Sequence, residues 1–462
     1  MSVIHTPLAS RWAVADDARA EGRARRDAVP HAAQAGWRAG QRGFTLQEFL
    51  TARAEGRLES LVPLGHGRMA ASPFAFYRGT AGLMAADLAT APSTGLLTQL
   101  CGDAHAANFG LYGGHDGRIV MDLNDFDETV AGPWEWDLKR LAASLVLAAG
   151  VGQQVSAKSA RKAARDAARS YRRTIAHLAG LPFLESWAAL SDESVFDHAD
   201  ADALDDDFAA AAAKAAGNTS EKVAAKITSR DTADWFFHHR PPVLSSVEPE
   251  VEAAVLAGLE GYVDTLPASS RVLLSRYRPH DVAMRVVGTG SVGMRAYVVL
   301  LQGNGDEALI LQVKQAGPSA LAPFLPPVPV AHEGERIVLG ARVVQSVSDH
   351  LLGWATVGDT PYLVRQFRNR KGSIDATLLG KSDLDDYGRL AGALLARAHA
   401  RTLDPRQLEG YLSVGLDKEE AKGFDDAVAT FAVDYAAQVE ADFAEFRGLL
   451  DDGVLPVEYE ED

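Results

Sequence analysis

Three groups of residues in this sequence have side-chain types and spacings suited to phosphate and metal chemistry. The first is Gly102-Asp103-Ala104-His105-Ala106-Ala107-Asn108, a polar stretch between two apolar runs, LLTQL and FGLY. An Asp and an Asn in D-x-x-x-x-N spacing on one loop can place a hydroxyl-orienting carboxylate, Asp103, beside a metal-binding amide, Asn108. The second is Asn124-Asp125-Phe126-Asp127, at the end of the next apolar run. The Asp125 carboxylate can share a Mg²⁺ ion with Asn108, because that ion takes hard oxygen ligands. The third is Gly288-Thr289-Gly290-Ser291-Val292-Gly293, a G-x-G-x-x-G string that occurs in dinucleotide folds, kinases and plain turns. The following run, MRAYVVLLQ, is strand-like, whereas a dinucleotide fold would open a helix there. The kinase form is therefore expected, in which Gly288, Gly290 and Gly293 cover nucleotide phosphates and a lysine on the third strand reaches them. Lys314 in LILQVKQA fills that place, an ammonium among apolar residues that needs an anionic partner. The next helical segment, HEGERIVLGARVVQ, offers Glu335 for that pairing, with Glu333 as the alternative. His105 has no second His or Cys at ligand spacing and reads as a residue that holds its loop by hydrogen bonds.

The elements that must position these groups can be read from pattern. Residues 95–128 run strand, polar loop, strand, turn, strand, with Gly-Gly and Asp-Gly as turn signals. After Pro133, WEWDLKRLAASLVLAA carries apolar residues at helical spacing, and helical patterns continue through the acidic, Ala-rich stretch to near Val272. From there β-branched residues and glycines predict three short strands, the last two joined at an Asn-Gly turn. A Pro-rich loop, a helix from about His332 to Val347, the strand PYLVRQF and the amphipathic helix DLDDYGRLAGALLARAHA follow. This divides the chain into an extension (1–61), a helical segment with the catalytic loop and metal-binding Asp (62–271), a β-rich nucleotide-binding lobe (272–372) and helices that return to the first lobe (373–462).

Composition narrows the classes. A chain of 462 residues, 47% of them apolar, can bury a large core. Its formal net charge of −16 opposes polyanions, so nucleic acid is not an expected partner. The single cysteine, Cys101, cannot pair within the chain. The first residues are charged, without an apolar run of signal-peptide length, and the most apolar stretch, LAASLVLAAGVG, is too short to cross a bilayer. A cytoplasmic protein without a membrane partner is expected.

With those residues assembled, Leu97 to Leu145 resembles the aminoglycoside phosphotransferases and related small-molecule kinases. The matching positions are Asp103, His105, Asn108, Asp125, Pro133 and Asp137. The longer runs RMAASPFAFYRG, GDAHAANFG, NDFDE, GPWEWDLKRLAAS and GERIVLGARVVQ resemble a bacterial family catalogued as domain of unknown function 2252, which is grouped with the kinase-like fold. The resemblance implies an α+β, two-lobed, protein-kinase-like fold. In an ordinary kinase the glycine loop precedes the catalytic loop; here the order is reversed, as in a circular permutation. PYLVRQFRNRKGS then resembles the hinge, and YGRLAGALLARAHA the helix that precedes the catalytic loop. The helix with Leu394 and His399 is expected beside the strand entering Gly102. The expected function is ATP- and Mg²⁺-dependent phosphotransfer to a hydroxyl of a small-molecule acceptor. AMP transfer on the same fold, or a catalytically silent nucleotide- or protein-binding module, are the alternatives.

Overall fold

The computed structural model describes residues 7–37, 41–114, 116–152, 154–231, 234–241, 243–286, 292–304 and 307–460. Gly288 and Gly290 lie outside the described residues. The fold is α+β, with a helical part that carries two small strand pairs and a separate six-stranded antiparallel sheet.

Four long helices make the helical part: Glu135–Gly152, Ala157–Ala179, Lys381–Ala400 and Lys418–Asp451. Ser156 starts the second with its side chain on Ser159 N, and Asp417 with Glu420 forms a capping box on the fourth. These caps satisfy amide groups that a helix start leaves without partners. The inner face of Ala157–Ala179 is lined by Ala160, Ala163, Ala164, Ala167 and Ala168, all buried. Small side chains let it lie close along Lys381–Ala400, and the two are extensively packed. The N-terminal helix Ala15–Ala28 packs on Pro405–Leu412, and Thr45 caps the next helix, Leu46–Ala54.

Phe109–Gly113 and Ile119–Leu123 form the expected hairpin, while Leu97–Leu100 pairs with Val130–Pro133 instead of joining it. In the six-stranded sheet the order is Gly353–Val357, Thr360–Gln366, Ala308–Gln315, Ala296–Gln302, Arg278–Arg285, Leu244–Ser246. Lys314 is thereby paired between Ala296 and Leu363. The helix Glu333–Val344 lies against strand Thr360–Gln366 and shares Ile337, Val338 and Ala341 with the main core.

The helical pattern does not run unbroken to Val272. A hairpin, Thr228–Asp231 with Asp234–Phe237, interrupts it, and Leu244–Ser246 adds to the sheet edge. The helix Pro249–Asp264 packs on Gly353–Val357, so sheet-associated structure begins ahead of residue 272. Strands of three or four residues are too short to display a period, which is why this stretch reads as helix from sequence. Among the described residues no helix is long and apolar enough to cross a membrane.

Candidate active site

The chain leaves strand Leu97–Leu100 through Gly102, which has φ of 87°. A Cβ there would stand 2.2 Å from the Glu128 carbonyl oxygen, so both conformation and space require glycine. The turn is held from beneath by Asp137, in the first turn of helix Glu135–Gly152, whose carboxylate accepts Cys101 N–H (2.7 Å) and Gly102 N–H (3.0 Å). Behind Asp137 stands His399, with Nε2 at 3.3 Å, and the Tyr171 hydroxyl meets His399 Nδ1 at 2.8 Å. The Asp137 carboxylate can only accept, so Nε2 carries the proton that faces it, and in that tautomer Nδ1 accepts from the Tyr171 hydroxyl. The end of the His399 helix also meets the strand that enters the loop: Thr98 Oγ1 donates to His399 O (3.2 Å), and Gln99 N–H donates to Thr402 Oγ1 (2.8 Å). The helix with Leu394 and His399 thus lies where the sequence places it.

Asp103 accepts Arg140 Nε–H at 2.5 Å through Oδ1. Arg140 is itself fixed by a bond to Tyr77 O (2.8 Å) and by the Tyr77 ring, 4.1 Å from its guanidinium carbon. The other oxygen, Oδ2, faces His105 Nε2 at 3.4 Å. Burial lowers the His105 pKa to about 4, against the pull of Asp103, so the ring is neutral at pH 7. Among the described residues its buried Nδ1 has no hydrogen-bond partner, and the hydrogen bonds it contributes to the loop come from its backbone, N–H to Asp103 O and O from Asn108 N–H, each 2.8 Å.

Asn108 Nδ2 donates to two carbonyls, Asp103 O (2.9 Å) and Asp125 O (3.0 Å). Two acceptors on one side fix the amide with nitrogen inward, leaving Oδ1 for a cation. Burial alone would raise the Asp125 pKa, but the charges of Lys314, Arg365 and Lys371 outweigh it and hold the carboxyl at about 2. Lys314 is buried in its strand and forms an ion pair with Asp127. Burial opposes its charge, yet Asp127 and then Asp125 more than offset this, and its pKa lies above the ordinary lysine value. Asp103, Asn108, Asp125 and Lys314 are thus brought into one cluster from distant parts of the chain.

The expected partner of Lys314 is corrected. It is Asp127; neither Glu335 nor Glu333 pairs with the lysine among the described residues. Glu335 N–H is capped by His332 Nδ1 (3.2 Å) at the helix start, and Glu333 bonds Arg336 (2.5 Å). The helix Glu333–Val344 meets the loop after Asp125 through Arg336, which donates to Thr129 O (2.5 Å), Asp127 O (2.9 Å) and Gly317 O (2.9 Å). A guanidinium gathering carbonyls therefore occupies the place expected for a carboxylate. Asp127 was legible in the NDFDE run, two residues beyond Asp125, but short-range spacing cannot show which carboxylate turns toward a distant strand.

Gly293, the described member of the glycine string, has φ of 90° and accepts Leu58 N–H at 2.7 Å. Arg57 donates to Val292 O at 2.5 Å, so the chain just beyond Leu46–Ala54 is stitched to the glycine turn. Arg57, Arg140, Arg336, Arg365 and Lys371 are site residues that sequence reasoning missed.

Among the described residues no group of three or more His, Cys, Asp or Glu side chains is placed to hold a metal. The Asn108 oxygen and the ionised Asp125 carboxylate fit Mg²⁺, which is commonly bound by one or two protein oxygens with the remainder from phosphates and water. No curated protein and no solved structure matches the chain. The family profile described as an uncharacterized protein conserved in bacteria (DUF2252) matches residues 57–449, most of the chain, and the protein belongs to that family.

Proposed function

We propose that this protein is a kinase-like phosphotransferase that uses ATP and Mg²⁺ to modify a hydroxyl of a small-molecule acceptor. The observation that carries this reading is the convergence of Asp103, Asn108 and Asp125 with Lys314, a lysine from the central part of a sheet whose neighbouring strands flank the glycine string. A structural ion pair explains Lys314 and Asp127 alone. It does not explain the Asn108 amide, held by two carbonyls with its oxygen left free beside Asp125.

In phosphoryl-group chemistry the protein chiefly positions reactants and neutralises charge. Mg²⁺ would supply charge neutralisation on the phosphates, held by Asn108 and Asp125. Lys314 would bind nucleotide phosphate, with Asp127 holding the ammonium when the site is empty. Asp103, paired with Arg140, would orient the acceptor hydroxyl and take its proton. A permuted kinase order is supported by the meeting of Thr98 and Gln99 with Thr402, which sets the late helix directly ahead of the catalytic strand in space. The group moved is a phosphoryl group if the terminal phosphate faces Asp103, and AMP if the α-phosphate does.

Calorimetry with ATP in the presence and absence of Mg²⁺ tests the reading. Metal-dependent binding at millimolar nucleotide or below, weakened more than tenfold in Asp125→Ala, is expected. Wild-type protein without such binding would sink it.

A further inference from the structure

Helix Pro73–Arg78 ends beside Asp103, because Arg140 joins the two: its Nε–H goes to Asp103 Oδ1 (2.5 Å) and its Nη2 to Tyr77 O (2.8 Å). Arg78 follows Tyr77 directly and is half-buried. Phe74, one turn earlier, ties it to the Asp103 loop a second time. The Phe74 ring lies 6.0 Å from the Arg78 guanidinium carbon and 6.2 Å from the His105 ring, and His105 Nε2 is 3.4 Å from Asp103 Oδ2.

The two arginines differ in what engages them. Arg140 has Asp103, Tyr77 O and the Tyr77 ring. Among the described residues Arg78 has no hydrogen-bond or ion-pair partner, and its Nε is buried. The acids at the loop are committed elsewhere: Asp103 to Arg140, and Glu128, which stands against Gly102, to the Ala320 N–H. His105 brings no charge at pH 7, since burial lowers its pKa to about 4, against the pull of Asp103 and helped by the charges of Arg78 and Arg140. A partly desolvated guanidinium without a partner is costly until an anion meets it.

We infer that Arg78 binds a carboxylate of the acceptor and that the acceptor is a small hydroxycarboxylic acid, an inference that rests on the phosphotransferase reading above. The acceptor hydroxyl meets Asp103, while its carboxylate takes N–H groups of Arg78, whose planar fork matches a planar carboxylate. One guanidinium balances one carboxylate charge. An amine in the same place would meet a like charge, so the site selects against cationic acceptors.

Calorimetry with ADP and Mg²⁺ filling the nucleotide site tests this with two matched sets of compounds: glycerate, glycerol and aminopropanediol, and gluconate, sorbitol and glucamine. Wild type should bind the hydroxy acids in preference to the polyols and the amines. Arg78→Met should weaken hydroxy-acid binding roughly ten- to hundredfold, the span of a charge-assisted hydrogen bond. Arg78→Lys should keep part of the affinity, and Arg78→Glu should turn the preference toward the amines. Mg²⁺-dependent ATP binding, measured alongside, reports whether each variant keeps its fold and its nucleotide site. Polyols or amines bound as tightly as the acids, no hydroxy acid bound, or hydroxy-acid binding undiminished in Arg78→Met would each overturn the inference while leaving the nucleotide site standing. Absence of ATP binding to wild type would instead remove the reading beneath it.

Discussion

At the residue scale, the proposed roles separate into ligands of the nucleotide and a group that acts on the acceptor, so substitutions should separate too. Asp125→Ala removes the carboxylate that local cations hold ionised, and Mg²⁺-dependent ATP binding should fall more than tenfold by calorimetry. Asp103→Asn keeps the shape and loses the proton acceptor; ATP should still bind while turnover drops by about two to four orders of magnitude. Equal loss of binding and turnover in Asp103→Asn would remove it from the role of base. Lys371 permits a prediction from pH. The Arg365 guanidinium, and then burial, lower its pKa from 10.5 to about 7. The unfolded chain therefore holds the extra proton across that interval, and this site's contribution to stability rises with pH from about 7 toward the ordinary lysine value. Lys371→Met should melt higher than wild type at pH 7, with the gap narrowing by pH 9. A constant gap would contradict the depressed pKa.

At the element scale, the Gly102 turn is supported by three helices acting through one carboxylate. Asp137→Ala leaves the Cys101 and Gly102 amide groups buried without acceptors, and each such group costs about 1–3 kcal/mol. A loss of about 3 kcal/mol by urea unfolding is expected, and a change below 1 kcal/mol would show that the loop relaxes to water. The strand, loop and hairpin of this region were legible because Gly-Gly and Asp-Gly turns leave strong local signals. The pairing of Leu97–Leu100 with Val130–Pro133 was not, since the two strands are apolar runs with no turn between them to set a register. The helix Glu333–Val344 was also legible as a helix. Its attachment through Arg336 was hidden, because charged residues at positions 333, 335 and 336 all fit a helix start and only packing selects which one faces inward.

On the scale of the whole molecule, residues 46–69 connect the helical core to the glycine turn. Arg57 and Leu58 bind Val292 and Gly293, while Met69 is fully buried in the main core. Arg57→Ala should therefore loosen the turn without unfolding the protein. Hydrogen exchange of residues 292–294 should quicken by about tenfold or more, with the denaturation midpoint nearly unchanged; unaltered exchange there would show that the strap does not hold the turn. The chain just past the family-matched residues 57–449 returns to their start, since Glu458 N–H donates to Pro63 O at 3.0 Å. Such proximity is the condition under which a rearranged chain order can keep one fold.

The sequence by itself determined the candidate chemistry and the local elements: Asp103 and Asn108 on one loop, Asp125 one hairpin later, Lys314 in an apolar strand, and the helix that ends at His399. These rest on side-chain type, turn residues and periodicity, which act within a few residues. Only the tertiary structure decided that Lys314 pairs with Asp127, that Arg336 binds the loop after Asp125, and that Arg365 and Lys371 lie beside Asp125. Those choices depend on which side chains meet across segments far apart in the chain, and there electrostatics and packing select among several residues that are locally equivalent.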